Sequence, residues 1–201
     1  MYTIPFSQKM IDRATARSAK NFEHTQVEYL NERTQIKNSG TGLSNVTTAG
    51  FLAEEVVANY LGAEVITGEE MYHCDLILLD KTRAEVKTKR RTVAPRDDYD
   101  ASVYEVSTHQ RPDLYIFVSL QFEGSFMSMN TVQYENLIDV WLLGQKTPRA
   151  FFEKAVFWNE GDYDARNGLV LRSKTYNLAI EDLDEIRKVS KLSAALKRFL
   201  V

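Results

Sequence analysis

The feature that most constrains this chain is the stretch at residues 73–91, HCDLILLDKTRAEVKTKRR. Asp75 is followed by four apolar residues, Leu76, Ile77, Leu78 and Leu79. Asp80, Lys81 and Thr82 then supply turn chemistry, and a second β-rich run follows. The pattern predicts two adjacent strands joined by a tight turn. Side chains alternate along a strand, so Glu85 and Lys87 share one face while Val86 points to the other layer. If the strands pair as a hairpin, Asp75 lies near Glu85 at one edge of the sheet. Two carboxylates and an ammonium around a small volume suit a hard divalent cation with a water to be activated beside it.

A helix is expected just upstream, over residues 47–61, with Thr47 or Thr48 at its start and Gly62 ending it. Glu54 shares a face with Gly50, Val57, Ala58 and Leu61, all apolar or small. That face should turn inward, and a carboxylate there is costly unless a cation or a cation-bound water compensates it. Glu55 falls toward Asn59, on a more polar side. The alternative leaves both glutamates exposed and makes Leu52, Val56 and Tyr60 the buried stripe.

Together these residues resemble the signature of the PD-(D/E)XK nuclease superfamily: Asp75, nine intervening residues, then Glu85-Val86-Lys87, preceded by the Glu-bearing helix at 50–61. The resemblance spans residues 49–120, with His73-Cys74 standing where a proline often precedes the aspartate. It implies an α/β (α+β) fold: a central mixed β-sheet flanked by helices, with a restriction-endonuclease-like αβββαβ core at about 46–132. A helical arm at about 6–37 and helices at about 181–201 would be additions to that core, within a single domain. It also implies that Asp75 and Glu85 bind Mg²⁺ (Mn²⁺ substituting), with the Val86 carbonyl as an extra ligand. Glu54 would bind a second ion or hold a metal-bound water, and Lys87 would orient the attacking water and stabilise charge at the scissile phosphate. The expected activity is endo- or exonucleolytic hydrolysis of DNA. The alternative is a catalytically inactive nucleic-acid-binding or assembly protein of the same fold. Cutting both strands with one site per chain needs two chains, which points to a homodimer.

Composition agrees with one globular domain: 201 residues, 44% hydrophobic and 26% charged. A single cysteine, Cys74, can form neither an internal disulfide nor a Cys-rich zinc site, and reads as a small core residue. Oxygen-only ligation favours Mg²⁺ or Mn²⁺ over Zn²⁺. No apolar run reaches the length of a membrane span and no signal-peptide core is visible, so the cytoplasm is the expected compartment. The net charge of −3 is not that of a nucleic-acid binder, but its distribution is uneven. Between Lys81 and Arg96 lie seven basic residues and one acidic residue, making Lys89, Arg90, Arg91 and Arg96 candidate phosphate contacts. Arg172, Lys174 and Tyr176 alternate and would share a second basic, aromatic face. Lys9, Arg13, Arg17 and Lys20 read as a solvated helix face, with phosphate contact the alternative.

The remaining chain is expected as follows. Residues 1–10 are extended or poorly ordered. Residues 63–66 form a short strand, 92–100 a loop and 101–110 either a strand or a short helix. Residues 114–120 form a central strand with 126–131 as its neighbour. A helix follows at 132–143, stopped at Thr147-Pro148. Residues 150–158 and 168–178 are strand-like.

Overall fold

The computed structural model describes residues 1–29, 42–68, 73–124, 134–165 and 168–186. It is a mixed α/β structure. The main sheet has six strands: β1 (Tyr2–Ile4), β2 (Glu64–Val65), β3 (Leu76–Ile77), β4 (Arg83–Arg91), β6 (Leu114–Phe122) and β7 (Leu137–Lys146). Their spatial order is β1-β7-β6-β4-β3-β2, with β4 and β6 parallel and every other pair antiparallel. A three-stranded sheet is built from β5 (Asp100–Tyr104), β8 (Val156–Trp158) and β11 (Thr175–Ala179), with β11 in the middle. A small ribbon pairs β9 (Tyr163–Asp164) with β10 (Leu169–Val170). The helices are α1 (Gln8–Tyr29), α2 (Gly42–Leu61) and α3 (Pro148–Lys154).

Parity along β4 and β6 sorts these elements into layers. Ala84, Val86, Ile116, Val118 and Leu120 face α1 and α2, where they join Ile11, Ala14, Leu52, Val56 and Val57 in one core. Tyr115 and Phe117 face the other way and pack with Phe151, Leu143, Val103 and Leu178 in a second core under the small sheet and α3. Phe117 stacks on Phe151 with centroids 5.4 Å apart. Because β6 is covered on both faces, its sequence LYIFVSL is apolar without alternation, as expected of a central strand.

The predicted hairpin forms. Leu76 pairs with Ala84 and Ile77 with Arg83. The turn is closed by Leu78 N–H to Thr82 O at 2.9 Å, by the Thr82 N–H to Asp80 Oδ1 at 3.1 Å, and by Lys81 in the left-handed region at φ 73°. Gly62 ends α2 at φ 70°, and β2 occupies the short strand expected at 63–66. Residues 101–110 combine both options, since β5 is followed by a 3₁₀ turn at Glu105–His109.

Of the two options for residues 1–10, the extended one holds at β1, which pairs with β7 as an edge strand, while α1 already starts at Gln8. Three expectations are overturned. The predicted helix at 132–143 is strand β7 from Leu137 onward. The spacing Leu137, Val140, Trp141 mimics a helix, but a strand buried on both faces, with a register shift opposite Phe117/Val118, yields the same spacing. Thr147-Pro148 starts a helix rather than stopping one. The Thr147 side chain accepts from Ala150 N–H, and Pro148 sits where its missing N–H costs nothing. Consequently 150–158 is helix to Lys154 and strand only at Val156–Trp158. The strand expected at 126–131 and the end of the helical arm at 30–37 lie outside the described residues. So does most of the C-terminal helical region; its described start is a 3₁₀ turn at Ile180–Asp182.

Gly144 on β7 permits a close backbone crossing. A Cβ there would sit 2.6 Å from Leu183 Cβ and 3.0 Å from Asp184 O. That contact holds the chain against Gln145, whose N–H and C=O both bond to Asp184 at 2.9 Å. Gly144→Ala should therefore destabilise by about 1–3 kcal/mol through overpacking, read as a lowered urea midpoint. A midpoint equal to wild type would show that the crossing can open without loss.

Candidate active site

The site is assembled from α2, the residues entering β3, and the first half of β4. Every residue of α2 from Phe51 to Ala58 is buried, because the helix is wedged between α1 and the sheet. Glu54 turns inward as expected, at 7% exposure. Glu55 does not sit on a polar side. It is equally buried, at 8%, and is paired with α1. Arg13 Nε lies 2.8 Å from Glu55 Oε2, and Arg17 Nη2 donates to Glu54 Oε2 at 2.8 Å. Arg13 and Arg17 are four residues apart, one turn of α1, on the side where Met10, Ala14 and Ser18 are buried. The solvated face expected of α1 holds for Lys9, Arg13 and Lys20, which are exposed, although Arg13 also pairs with Glu55; Arg17 departs from it, half-buried on Glu54.

Asp75 continues the hairpin. Its N–H donates to Ala84 O at 3.0 Å and its carbonyl accepts from Ile66 N–H at 2.9 Å. Its side chain folds back on β4, Oδ2 accepting from Val86 N–H at 2.7 Å. In an extended strand a residue's N–H and C=O point to the same side, so the Val86 carbonyl also faces this edge rather than β6. Glu85, at 4% exposure, accepts on Oε1 from Lys87 Nζ at 2.9 Å and from Gln110 Nε2 at 2.7 Å. Lys87 Nζ also donates to Gln110 Oε1 at 2.9 Å and lies 5.9 Å from the centre of the Tyr115 ring. Glu85 Oε2 is buried with no hydrogen-bond partner.

The three carboxylates feel one another. Burial, then repulsion from Glu54 and Glu85, pushes the Asp75 carboxyl well above the usual carboxylate range, against the pull of the Val86 N–H and Lys87. Burial raises Glu54 to about 7; Arg17 opposes this, while Glu85 and Glu55 add to it. Burial and the Glu85 charge push the Tyr115 hydroxyl up to about 12, so it stays protonated at the floor of the site. Among the described residues, no three His, Cys, Asp or Glu side chains come close enough to hold a metal ion as they stand. Glu54 instead leans on Arg17, and Glu85 on Lys87 and Gln110.

Asp75→Asn replaces a carboxyl whose ionised form is opposed by burial and by Glu54 and Glu85, and keeps an acceptor for the Val86 N–H. The metal-free protein should gain about 0.5–2 kcal/mol near neutral pH, seen as a higher denaturant midpoint at unchanged slope. A lowered midpoint would mean that the Asp75 charge is already compensated.

The candidate phosphate contacts separate by parity and by partners. Lys89 and Arg91 share the Glu85 face of β4, whereas Arg90 points to the opposite face, near Tyr134. Arg91 is half-buried; it donates to Asp100 O at 3.2 Å and covers the Tyr99 ring at 4.6 Å. Arg96 lies 2.8 Å from Asp98 and sits over the Tyr99 ring at 4.5 Å. Arg172 and Lys174 precede β11 rather than alternating within it, so the predicted strand face shared with Tyr176 does not form. Lys174 lies 3.6 Å from Glu105, and the Tyr176 ring packs against Phe152 and Phe157. Cys74 is buried and its thiol is pushed up by burial, as befits a core residue, and His73 is exposed.

The residues missed from sequence are Arg17 and Gln110. Two arginines one helical turn apart, opposite a Glu-Glu pair lacking internal partners, were an available signal for Arg17. Gln110 carries none, because it reaches Lys87 only through the return of the chain from β5 to β6.

No protein-family model matches the chain, and no curated protein matches it at a significant level. Among the described residues no helix is long and apolar enough to cross a membrane.

Proposed function

We propose that this protein is a Mg²⁺-dependent deoxyribonuclease of the PD-(D/E)XK type. The observation that supports the reading is local: Asp75 is bonded to Val86 N–H, Lys87 is bonded to Glu85, Glu54 is turned inward on α2, and Glu85 Oε2 is buried without a hydrogen-bond partner. The order α2, β2, β3, β4, crossover, β6 supports a restriction-endonuclease-like core, with a strand and a 3₁₀ turn in place of the crossover helix.

The residues fit a hard cation by their chemistry. All donors are carboxylate or carbonyl oxygens, Glu85 Oε2 is unsatisfied, and burial with the neighbouring carboxylates raises Glu54 and Asp75, which a cation would offset. Asp75 and Glu85 would hold it, with the Val86 carbonyl beside them. When bound, Mg²⁺ lowers the pKa of its water and neutralises charge at the phosphate. The chain does the rest. Val86 N–H fixes the Asp75 carboxylate, and Gln110 holds both Glu85 and Lys87 in place. Lys87 presents an ammonium to the attacking water and to a non-bridging phosphate oxygen. Lys89, on the same face of β4, continues a basic track for the DNA backbone.

One observation favours the second reading, an inactive DNA-binding protein: Glu54 and Glu85 are already bonded to Arg17, Lys87 and Gln110. Supercoiled plasmid incubated with Mg²⁺ or with EDTA separates the two. The nuclease reading expects nicked or linear product with Mg²⁺ only. A gel shift without nicking in either condition favours the inactive protein.

A further inference from the structure

We propose that Arg17 is the positioning residue for Glu54 and supplies from within the chain the positive charge a second cation would bring, so that the pocket takes one divalent cation per chain. This rests on the nuclease reading, since Asp75 and Glu85 are taken as the ligands. Helix α1 lies outside the stretch that carries the family resemblance, yet its guanidinium is fixed at the site from several sides. Nη2 donates to Glu54 Oε2 at 2.8 Å and approaches Ile66 O at 3.5 Å. The guanidinium carbon lies 4.3 Å over the Phe51 ring. Nη1 is buried without a hydrogen-bond partner, 3.6 Å from Glu55 Oε1.

Ile66 is also the residue whose N–H donates to the carbonyl of Asp75. Arg17 therefore ties α2 to the segment that enters β3. A planar fork with one face on a ring and one edge on a carboxylate has a single orientation, unlike a flexible ammonium. It holds Glu54 Oε2.

Charge balance points the same way. Glu55 is matched by Arg13. With all three carboxylates ionised, the form a cation binds, Glu54, Asp75 and Glu85 against Arg17 and Lys87 leave one net negative charge. One divalent cation and one phosphodiester bring the pocket to neutrality; a second cation would leave it two charges in excess, which a partly desolvated site disfavours.

The test is a Mn²⁺ titration of the full chain, with free Mn²⁺ followed by electron paramagnetic resonance. Wild type should saturate at one ion per chain. Arg17→Lys, which keeps the charge, should also saturate at one. Arg17→Gln should gain a second, weaker site at Glu54. Two ions in wild type would overturn the proposal, whatever the variants do. So would an Arg17→Gln protein that folds and binds one ion with unchanged affinity. If Arg17→Gln does not fold, the wild-type and Arg17→Lys stoichiometries decide. Wild type binding no Mn²⁺ removes the nuclease reading itself and this proposal with it, whereas a two-ion wild type leaves that reading standing.

Discussion

Glu85→Gln should lower Mg²⁺-dependent plasmid cleavage by at least about 10³-fold while leaving the fold and most DNA binding intact. The amide keeps the shape of the side chain and one oxygen that accepts from Lys87 and Gln110, so two buried partners are not stranded. It removes the charge that the proposed cation would need at the buried end of β4. Glu85→Ala should abolish cleavage too, at a cost in stability of about 1–3 kcal/mol, because Lys87 and Gln110 then lose a shared acceptor. Lys87→Met offers the complementary loss. It fills the same space above Tyr115, removes the ammonium, and should reduce turnover by about 10²–10³-fold. Mg²⁺ binding should persist in Lys87→Met and fail in Glu85→Gln. Plasmid nicking read beside calorimetric Mg²⁺ titration separates these effects. Cleavage at wild-type rate in Glu85→Gln would refute the assignment of the site.

The second large effect is a reversal of the pH dependence of stability by metal. Glu54 titrates near 7 in the fold, above its ordinary 4.5, and Asp75 is raised as well. A raised carboxyl means that the folded chain holds its proton when the unfolded chain has lost it. The stability this gives is present at low pH and is lost as pH climbs from about 4.5 through about 7. For Glu54 alone the loss is on the order of 3 kcal/mol. Divalent cations bind the ionised form, so Mg²⁺ should stabilise little at pH 5 and strongly at pH 8. At a concentration a hundredfold above its Kd the gain is about 2.7 kcal/mol. Thermal melting across this range, with Mg²⁺ and with EDTA, should give a falling curve for the metal-free protein and a flatter one with Mg²⁺. Glu54→Gln should reduce the slope of the metal-free curve. A Mg²⁺ shift of the same size at pH 5 and pH 8 would mean that no carboxylate of this group is displaced from its proton by the ion.

How much of this was legible in the sequence depends on whether the signal was local. The hairpin was readable because turn residues and strand alternation are local: Asp80 and Thr82 close the turn, and parity sets Glu85 and Lys87 on one face. The inward turn of Glu54 followed from helical spacing. Its neighbour Glu55 did not, because spacing describes one buried face and α2 is buried all round by α1 on the side away from the sheet. Strand β7 was misread for a related reason: covered on both faces, it loses the alternation that marks a strand and acquires apolar residues at helical intervals. Pro148 after Thr147 predicts a stop, although at a first helical position the same ring is an initiator. Glu54, Asp75, Glu85 and Lys87 stand out because their types and order carry chemistry; the fold turns Glu54 inward and brings Lys87 onto Glu85. Arg17 and Gln110 arrive through long-range packing, which pairwise spacing does not encode.

A crystal grown with Mn²⁺ and measured at a wavelength where manganese scatters anomalously probes the core of this reading most directly. An anomalous peak between Asp75 and Glu85, with Glu85 Oε2 turned to it and Arg17 still on Glu54, is the predicted result. No peak there, with both carboxylates keeping only their bonds to Val86 N–H, Lys87 and Gln110, would contradict it.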